Sequence, residues 1–370
     1  MKFQGANSDY KISHFCIVEG LNPAAPEPEP EPEEPEKHSD SDLEKKVADT
    51  ESVTADTAWS DGITAGAEDT VTFKLSSTIP EYLANEDAYA ITFHDVMDTK
   101  LSLNTNSFTV FIDKNQNNVY DEGTDTALTN ETNYTFNNSS ISDGCTFEIT
   151  MNLRNLYNAS NGPITSSDLG KNKIVVLYTA TLAEDITAGC YENEAWVHYS
   201  DKDTTHDKVT VDTYGIKIVK YDASTATYDE NSNTLTAKDD QEIKYLADAV
   251  FELYPSNEDG TINESAGAIR TGITTGEDGK ISIDGLAEGT YYLKETDAPD
   301  GYVEPTNPIK VVVSLGTDSK EYYVTAYIPN TETGQTGGAG TMFYTFGGLA
   351  IVAAAGIVLL ASRKSRKQSA

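Results

Sequence analysis

Residues 280–294 read KISIDGLAEGTYYLK. Lys280-Ile281-Ser282-Ile283 alternates polar and apolar side chains, Leu286-Ala287-Glu288-Gly289 supplies a glycine-bearing turn, and Thr290-Tyr291-Tyr292-Leu293-Lys294 is a second run rich in the side chains that suit a pleated surface. Because successive side chains of a strand point to opposite faces, runs of period two bounded by such turns predict β-strands joined by short connections. The same pattern continues outward on both sides. Upstream lie Ile216-Lys217-Ile218-Val219-Lys220 and Ala249-Val250-Phe251-Glu252-Leu253-Tyr254; downstream lie Ile309 to Val313 and Tyr322 to Ile328. Further towards the N-terminus, from about Asp42 to Val211, Thr70-Val71-Thr72-Phe73-Lys74-Leu75 and Ile174-Val175-Val176-Leu177-Tyr178-Thr179-Ala180 repeat it, with turn clusters between (Asn104 to Ser107, Asn137 to Gly144, Asn158 to Gly162). No long segment of helical period interrupts this stretch. The expected fold is all-β, with two immunoglobulin-like β-sandwich domains in tandem, at 41–212 and 213–332, followed by a C-terminal transmembrane helix.

That helix is expected at 341–361, where TMFYTFGGLAIVAAAGIVLLA carries no charge and matches the length of about 20 residues needed to cross a bilayer. Arg363, Lys364, Arg366 and Lys367 follow at once and place the C-terminal tail on the cytoplasmic side. The preceding residues are then extracellular, which requires an export signal. The first residues, MKFQGANSDYKISHFCIVEG, contain no apolar core of the kind a signal peptide has, so 1–40 is expected to be a truncated N-terminus leading into a spacer. In Pro26 to Pro35, PEPEPEPEEP, alternating proline and glutamate favours an extended polyproline II segment.

A formal net charge of -34 argues against nucleic acid as a partner, since like charge would oppose each phosphate contact. Three cysteines, Cys16, Cys145 and Cys190, do not make a disulfide framework or a zinc cluster by their spacing, although Cys145 and Cys190 could pair in an oxidising exterior.

Residues 291–302, YYLKETDAPDGY, together with Leu246-Ala247-Asp248-Ala249-Val250-Phe251-Glu252-Leu253-Tyr254, resemble the collagen-adhesin B-type repeat of Gram-positive surface proteins, with Asp248 where glycine is usual. The resemblance spans roughly 214–330. Ahead of it, Ala67 to Phe73, Ile91 to Met97, Val175 to Ala180 and Glu192 to Ser200 resemble, more loosely, the fimbrial isopeptide-forming domain of pilins. Thr336-Gly337-Gly338 before the apolar run resembles the signal by which a sortase joins such proteins to cell wall or to other pilins. In the register set by the span, the pentapeptide is Thr333-Gly334-Gln335-Thr336-Gly337, with Leu-Pro missing from its first two positions.

The resemblance implies an intramolecular amide bond in each domain, formed when a Lys amine attacks an Asn carboxamide and releases ammonia with the help of a buried acid. Burial lowers a lysine pKa towards the nucleophilic free amine and raises a carboxyl pKa towards the protonated acid. In the second domain the resemblance assigns Lys217 as nucleophile, Glu295 as acid and Asn330 as acceptor. Lys220, on the opposite face of the same strand, is the other candidate. In the first domain it assigns Lys45, Asp95 and Asn193. Alternation puts Lys45 on the face of Leu43 and Val47, leaving Lys46 as the alternative; it groups Asp95 with Ile91 and Phe93, and Asn193 with Ala195, Val197 and Tyr199.

Asp113, Asn115, Asn117 and Asp121 have the spacing of oxygen ligands in a calcium loop, without that loop's sixth-position glycine or twelfth-position glutamate, so the competing reading is a polar hairpin loop. The five histidines are scattered along the sequence, and neither a nucleophile elbow nor a phosphate-binding glycine loop is present. The function expected is therefore structural rather than enzymatic: a cell-wall-anchored pilin or pilin-like surface protein for adhesion or fibre formation, stiffened by Lys–Asn bonds. Its partners would be a sortase, other pilin subunits or peptidoglycan, and an unidentified host or surface ligand. A polymerising pilin usually presents Tyr-Pro-Lys ahead of the isopeptide domain, whereas Tyr254-Pro255 is followed by Ser256. The alternative is a membrane-retained extracellular binding module, calcium dependent or not, that never enters a polymer.

Overall fold

Strands dominate because the β-branched and aromatic runs can bury one face each in a shared core. The computed structural model describes residues 43–81, 83, 89–139, 141–199, 203–239, 241–314, 321–334 and 350–352. In chain order the strands are β1 (Leu43–Ala48), β2 (Gly62–Thr64), β3 (Thr70–Thr78), β4 (Ala90–Met97), β5 (Leu101–Leu103), β6 (Thr109–Asp113), β7 (Thr126–Leu128), β8 (Thr135–Asn137), β9 (Phe147–Asn152), β10 (Lys173–Leu182), β11 (Gly189–Tyr199) and β12 (Asp207–Asp222). The second half adds β13 (Ala226–Asp229), β14 (Thr234–Ala237), β15 (Val250–Pro255), β16 (Arg270–Thr274), β17 (Lys280–Leu286), β18 (Gly289–Asp297), β19 (Tyr302–Val303), β20 (Ile309–Val313), β21 (Tyr323–Glu332) and β22 (Ala350–Val352).

The first sandwich packs a sheet of order β1-β3-β10-β6-β7 against one of order β12-β11-β4-β9-β8. Its core draws Val47, Phe73, Phe93, Phe147, Val176 and Val197 from both. The second sandwich packs β12, β17 and β21 against β16-β15-β18-β20, around Ile216, Phe251, Leu293, Val311 and Ile328.

β12 belongs to both sandwiches, and the expected domain boundary at 212/213 falls inside it. Its N-terminal half pairs antiparallel with β11, from Asp207 opposite Ala195 to Thr213 opposite Gly189. Its C-terminal half pairs parallel with β21, from Gly215 opposite Tyr323 to Asp222 opposite Asn330. Val209 and Val211 enter the first core, whereas Tyr214, Ile216 and Ile218 enter the second. Odd-numbered side chains thus serve one core and even-numbered ones the other, so the strand offers opposite faces to the two sandwiches.

The junction is also closed by direct bonds. Ala67 N–H donates to Gly285 O at 2.8 Å, and Asp284 Oδ1 accepts from Ala188 N–H at 3.0 Å and from the Tyr323 hydroxyl at 2.5 Å. Gly285 stands where β17 carries one residue more than β12, with φ 68°; a Cβ there would lie 2.8 Å from that of Ala67.

The helix expected at 341–361 lies outside the described residues except for Ala350–Val352, which are β-strand and pair in parallel with Lys310–Val312. β20 presents an otherwise open edge whose unpaired backbone groups can accept any apolar strand. Among the described residues no helix is long and apolar enough to cross a membrane.

Candidate functional site

In the core of each sandwich lies a buried cluster of a lysine, an acid and an asparagine. In the first, β1 alternates inward Leu43, Lys45 and Val47 with outward neighbours, which carries the Lys45 amine into the core with no exposed surface. Asp95 and Asn193 face it from β4 and β11, neighbouring strands of the opposite sheet in which Ala195 pairs with Asp95. Both are fully buried. The Lys45 amine donates to Asp95 Oδ2 at 2.5 Å and to the Tyr178 hydroxyl at 2.8 Å; Tyr178 donates to Asp95 Oδ2 at 2.5 Å and accepts from Asn193 Nδ2 at 3.1 Å. Asp95 Oδ1 and Asn193 Oδ1 are buried without a donor. Phe73 and Tyr178 cover the amine, each ring centre 5.5 Å away.

Burial lowers the Lys45 pKa, with Asp95 opposing the shift, and raises that of Asp95, with Lys45 opposing. Both shifts favour the uncharged pair. Tyr178 is raised well above its ordinary value by burial and by the Asp95 charge, so it stays a protonated donor.

In the second sandwich the expected nucleophile is corrected. Lys217 is exposed, its amine 4.2 Å from the centre of the Tyr323 ring, and does not meet Glu295 or Asn330. Lys220 takes the place. It lies in phase with Ile216 and Ile218 on β12, is fully buried, and donates to Asn330 Oδ1 at 2.5 Å and to Glu295 Oε2. Asn330 Nδ2 in turn donates to Glu295 Oε1 at 2.7 Å. Lys220 and Asn330 sit near the C-terminal ends of adjacent parallel strands, while Glu295 reaches them from β18 across the sandwich. Burial lowers the Lys220 pKa to about 8 and raises that of Glu295, the ion pair opposing both shifts. Phe251 caps the amine, its ring centre 5.3 Å away.

Lys220 was legible in the sequence, because two-residue counting from Ile216 reaches it and misses Lys217. Tyr178 was not, since a tyrosine in IVVLYTA reads as one more core side chain. Lys46 is half-buried and pairs with Asp61 at the surface.

Three further expectations have their outcome here. Cys145 and Cys190 are free thiols; Cys145 lies beside His94, opposite Trp196 and six residues along β11 from Cys190, about 20 Å at the rise of a strand. In the loop after β6, Asp113 accepts from the backbone N–H groups of Gln116 and Asn118, and Asp121 Oδ2 accepts from the amides of Asn115 and Asn117. These carboxylates accept from the loop's own donors, and the loop joins the paired strands β6 and β7. Thr336 and Gly337 lie outside the described residues.

The family model for the SpaA prealbumin-like fold domain matches residues 231–327, and that for the LPXTG cell wall anchor motif matches 335–368. No curated protein matches the chain. Among solved structures, the backbone protein of pilus 2b from group B streptococcus is 28% identical, with TM-score 0.53 over 73% of this chain and 95% of that one. The fold is shared with the 35 kDa C-terminal fragment of the Streptococcus agalactiae major pilin GBS80, at 21% identity, TM-score 0.51 and coverage of 79% and 99%. It is shared also with the Corynebacterium diphtheriae major pilin SpaA, at 16% identity, TM-score 0.53 and coverage of 80% and 69%, a structure described as pointing to a modular pilus assembly stabilizing isopeptide bonds. By these matches the chain is similar to the Gram-positive major pilins, its second sandwich matching the SpaA prealbumin-like fold domain and its C-terminal end the LPXTG cell wall anchor motif.

Proposed function

We propose that this chain is a cell-wall-anchored pilin or pilin-like surface protein whose two immunoglobulin-like sandwiches, divided near residue 212, are each locked by an amide bond: Lys45 to Asn193, and Lys220 to Asn330. The observation that carries this reading is the pair of buried Lys–acid–Asn clusters, whose charges are left unsolvated until the amine is consumed. An isolated ion pair of this kind is costly to bury, and two acceptor oxygens without donors add to the cost in the first sandwich.

Reaction removes the charge. The lysine passes its proton to the carboxylate it touches, the free amine attacks Asn Cγ, the Cγ–Nδ2 bond breaks, and the amide nitrogen leaves as ammonia after taking up a proton. Glu295, bonded to both the amine and the departing Nδ2, can move both protons. In the first sandwich Asp95 Oδ2 takes the Lys45 proton, and the Tyr178 hydroxyl, which lies between Asp95 Oδ2 and Asn193 Nδ2, can relay one to the departing nitrogen. Held together in a folded core, directly for Lys220 and Asn330 and through Tyr178 for Lys45 and Asn193, the groups need no further catalyst. Asn330 also lines a groove of about 480 Å³ between β13 and the segment from Val303 to Ile309, a route by which ammonia can leave.

At the C-terminus, the apolar run 341–361 with its basic tail in the cytoplasm would hold the chain at the membrane as a helix, Ala350–Val352 then leaving the edge of β20, until a sortase joins the chain to peptidoglycan or to another pilin subunit. Intact-mass measurement of the full chain tests the crosslinks. The expected mass is short of the sequence mass by two molecules of ammonia, with one restored in Lys45→Ala and the other in Lys220→Ala. A mass equal to that of the sequence overturns the proposal.

A further inference from the structure

The first sandwich carries a second chemical cluster, on the outer face of its β4–β9–β11 sheet and away from the buried lysine. His94 on β4 has Trp196 opposite it on β11 and Glu148 opposite it on β9. Three different side chains converge on one atom, His94 Nδ1: Asp143 Oδ2 at 3.1 Å, Glu148 Oε1 at 3.3 Å and Cys145 Sγ at 3.6 Å. The donor atoms of His94, Asp143 and Cys145 all lie within 4.8 Å of one another.

From these distances we infer that His94, Asp143, Cys145 and Glu148 form a binding site for a thiophilic divalent cation such as Zn²⁺. Bonds of about 2.3 Å to sulfur and about 2.1 Å to nitrogen or oxygen, at tetrahedral angles, place nitrogen and sulfur ligands about 3.6 Å apart and nitrogen and oxygen ligands about 3.4 Å apart. The three edges that meet at His94 Nδ1 already have these lengths to within a few tenths of an ångström, and the Asp143 and Cys145 donors lie within 4.8 Å of each other, so His94, Asp143 and Cys145 form the core of the set and Glu148 closes on it as a cation binds. A set of one thiolate, one imidazole and two carboxylates suits zinc and its first-row neighbours, whereas calcium and magnesium take oxygen alone.

The supporting geometry is built in. The His94 ring stacks on Trp196 at 4.9 Å between centres and 2° between planes, and Trp196 stacks on His206 at 4.5 Å and 6°. This fixes the imidazole plane as a ligand requires. Asp143 and Cys145 are held together by the Cys145 N–H donating to Asp143 Oδ1 at 3.1 Å. The next residue is tied to β4, where Thr146 N–H donates to Asp95 O at 2.7 Å and Thr146 Oγ1 accepts from Met97 N–H at 2.9 Å. The site is open enough for entry, the Asp143 side chain being 37% exposed and that of His94 12%. Bound metal would pin the loop before β9 onto the sheet.

Cobalt(II) tests this, because it reports both thiolate ligation and coordination number. The full chain, with its thiols reduced, is titrated with Co²⁺ in the presence of excess Ca²⁺, which occupies the carboxylates of so acidic a surface. Saturation at one equivalent is expected, with a sulfur-to-cobalt charge-transfer band and the strong visible bands of four-coordinate cobalt, both discharged by Zn²⁺. Cys145→Ser should abolish the charge-transfer band and His94→Gln should weaken binding by about tenfold or more, while Cys190→Ser leaves both intact. Absence of the band, its survival in Cys145→Ser, or only the pale spectrum of six-coordinate cobalt would overturn the assignment and leave His94 as the centre of an ordinary ion-pair cluster.

Discussion

The Lys220 amine lies in a space closed by Phe251, Glu295 and Asn330, where water cannot solvate a positive charge. Lys217, three residues earlier, lies exposed over the Tyr323 ring. Lys220→Ala should therefore retain one more ammonia than the wild type in an intact-mass spectrum, and Lys217→Ala should not; the opposite pattern would return the role to Lys217. Titration gives a second check. In Asn330→Ala the amine stays unreacted, and its folded-state pKa lies below its unfolded value of 10.5. The unfolded chain then holds a proton that the folded chain lacks between about pH 8 and that value, so stability rises with pH across this window. Denaturant midpoints of Asn330→Ala should climb there relative to wild type, in which the amide has no amine to titrate. That Lys45, Asp95 and Asn193 face the core could be read from the sequence, because each stands in alternation with apolar neighbours. Tyr178 could not, because its hydroxyl matters only through what three other strands bring to it.

β12 is the element on which the architecture turns. Gly215 sits at its midpoint, where a Cβ would come within 2.5 Å of the Tyr323 ring and 2.8 Å of Ile283 O. The carbonyl is backbone and cannot step aside. Gly215→Ala should cost about 1–3 kcal/mol, as overpacking does, and lower the denaturant midpoint; an unchanged midpoint would mean that the two halves of the strand adjust independently. The strands themselves were legible from their period, but the continuity of β12 was not. Thr213-Tyr214-Gly215 breaks the alternation just where the strand changes its buried face from odd to even, and a break in pattern reads as a linker. The C-terminal apolar run was legible in length and charge, whereas the pairing of Ala350–Val352 with β20 depends on an open sheet edge that no local pattern announces.

At the scale of the whole molecule the two proposed bonds differ in placement. Lys45 reaches from one sheet to the other, while Lys220 and Asn330, 110 residues apart in sequence, join neighbouring parallel strands of one sheet. Closing a loop of this length stabilises by about 5 kcal/mol on the chain-entropy estimate for disulfides. Glu295→Ala, which removes the acid but leaves both partners, should form no second bond and melt at a lower temperature; equal melting would deny the bond any stabilising role. With both bonds in place, a pull applied before β1 and after β21 bypasses most of the polypeptide. It crosses from Lys45 to Asn193, follows the backbone to Lys220, and leaves through Asn330. Within that short route Asn193 is paired with Val209, so β11 and the start of β12 form a hairpin on the load path that can extend only when its own rungs and those from β11 to β4 give way. The covalently closed fibre then has a built-in fuse. In single-molecule stretching it should lengthen by about 50 Å, the span of the residues between that pair, and recoil when released, whereas domain-sized lengthening would show that the bonds are absent.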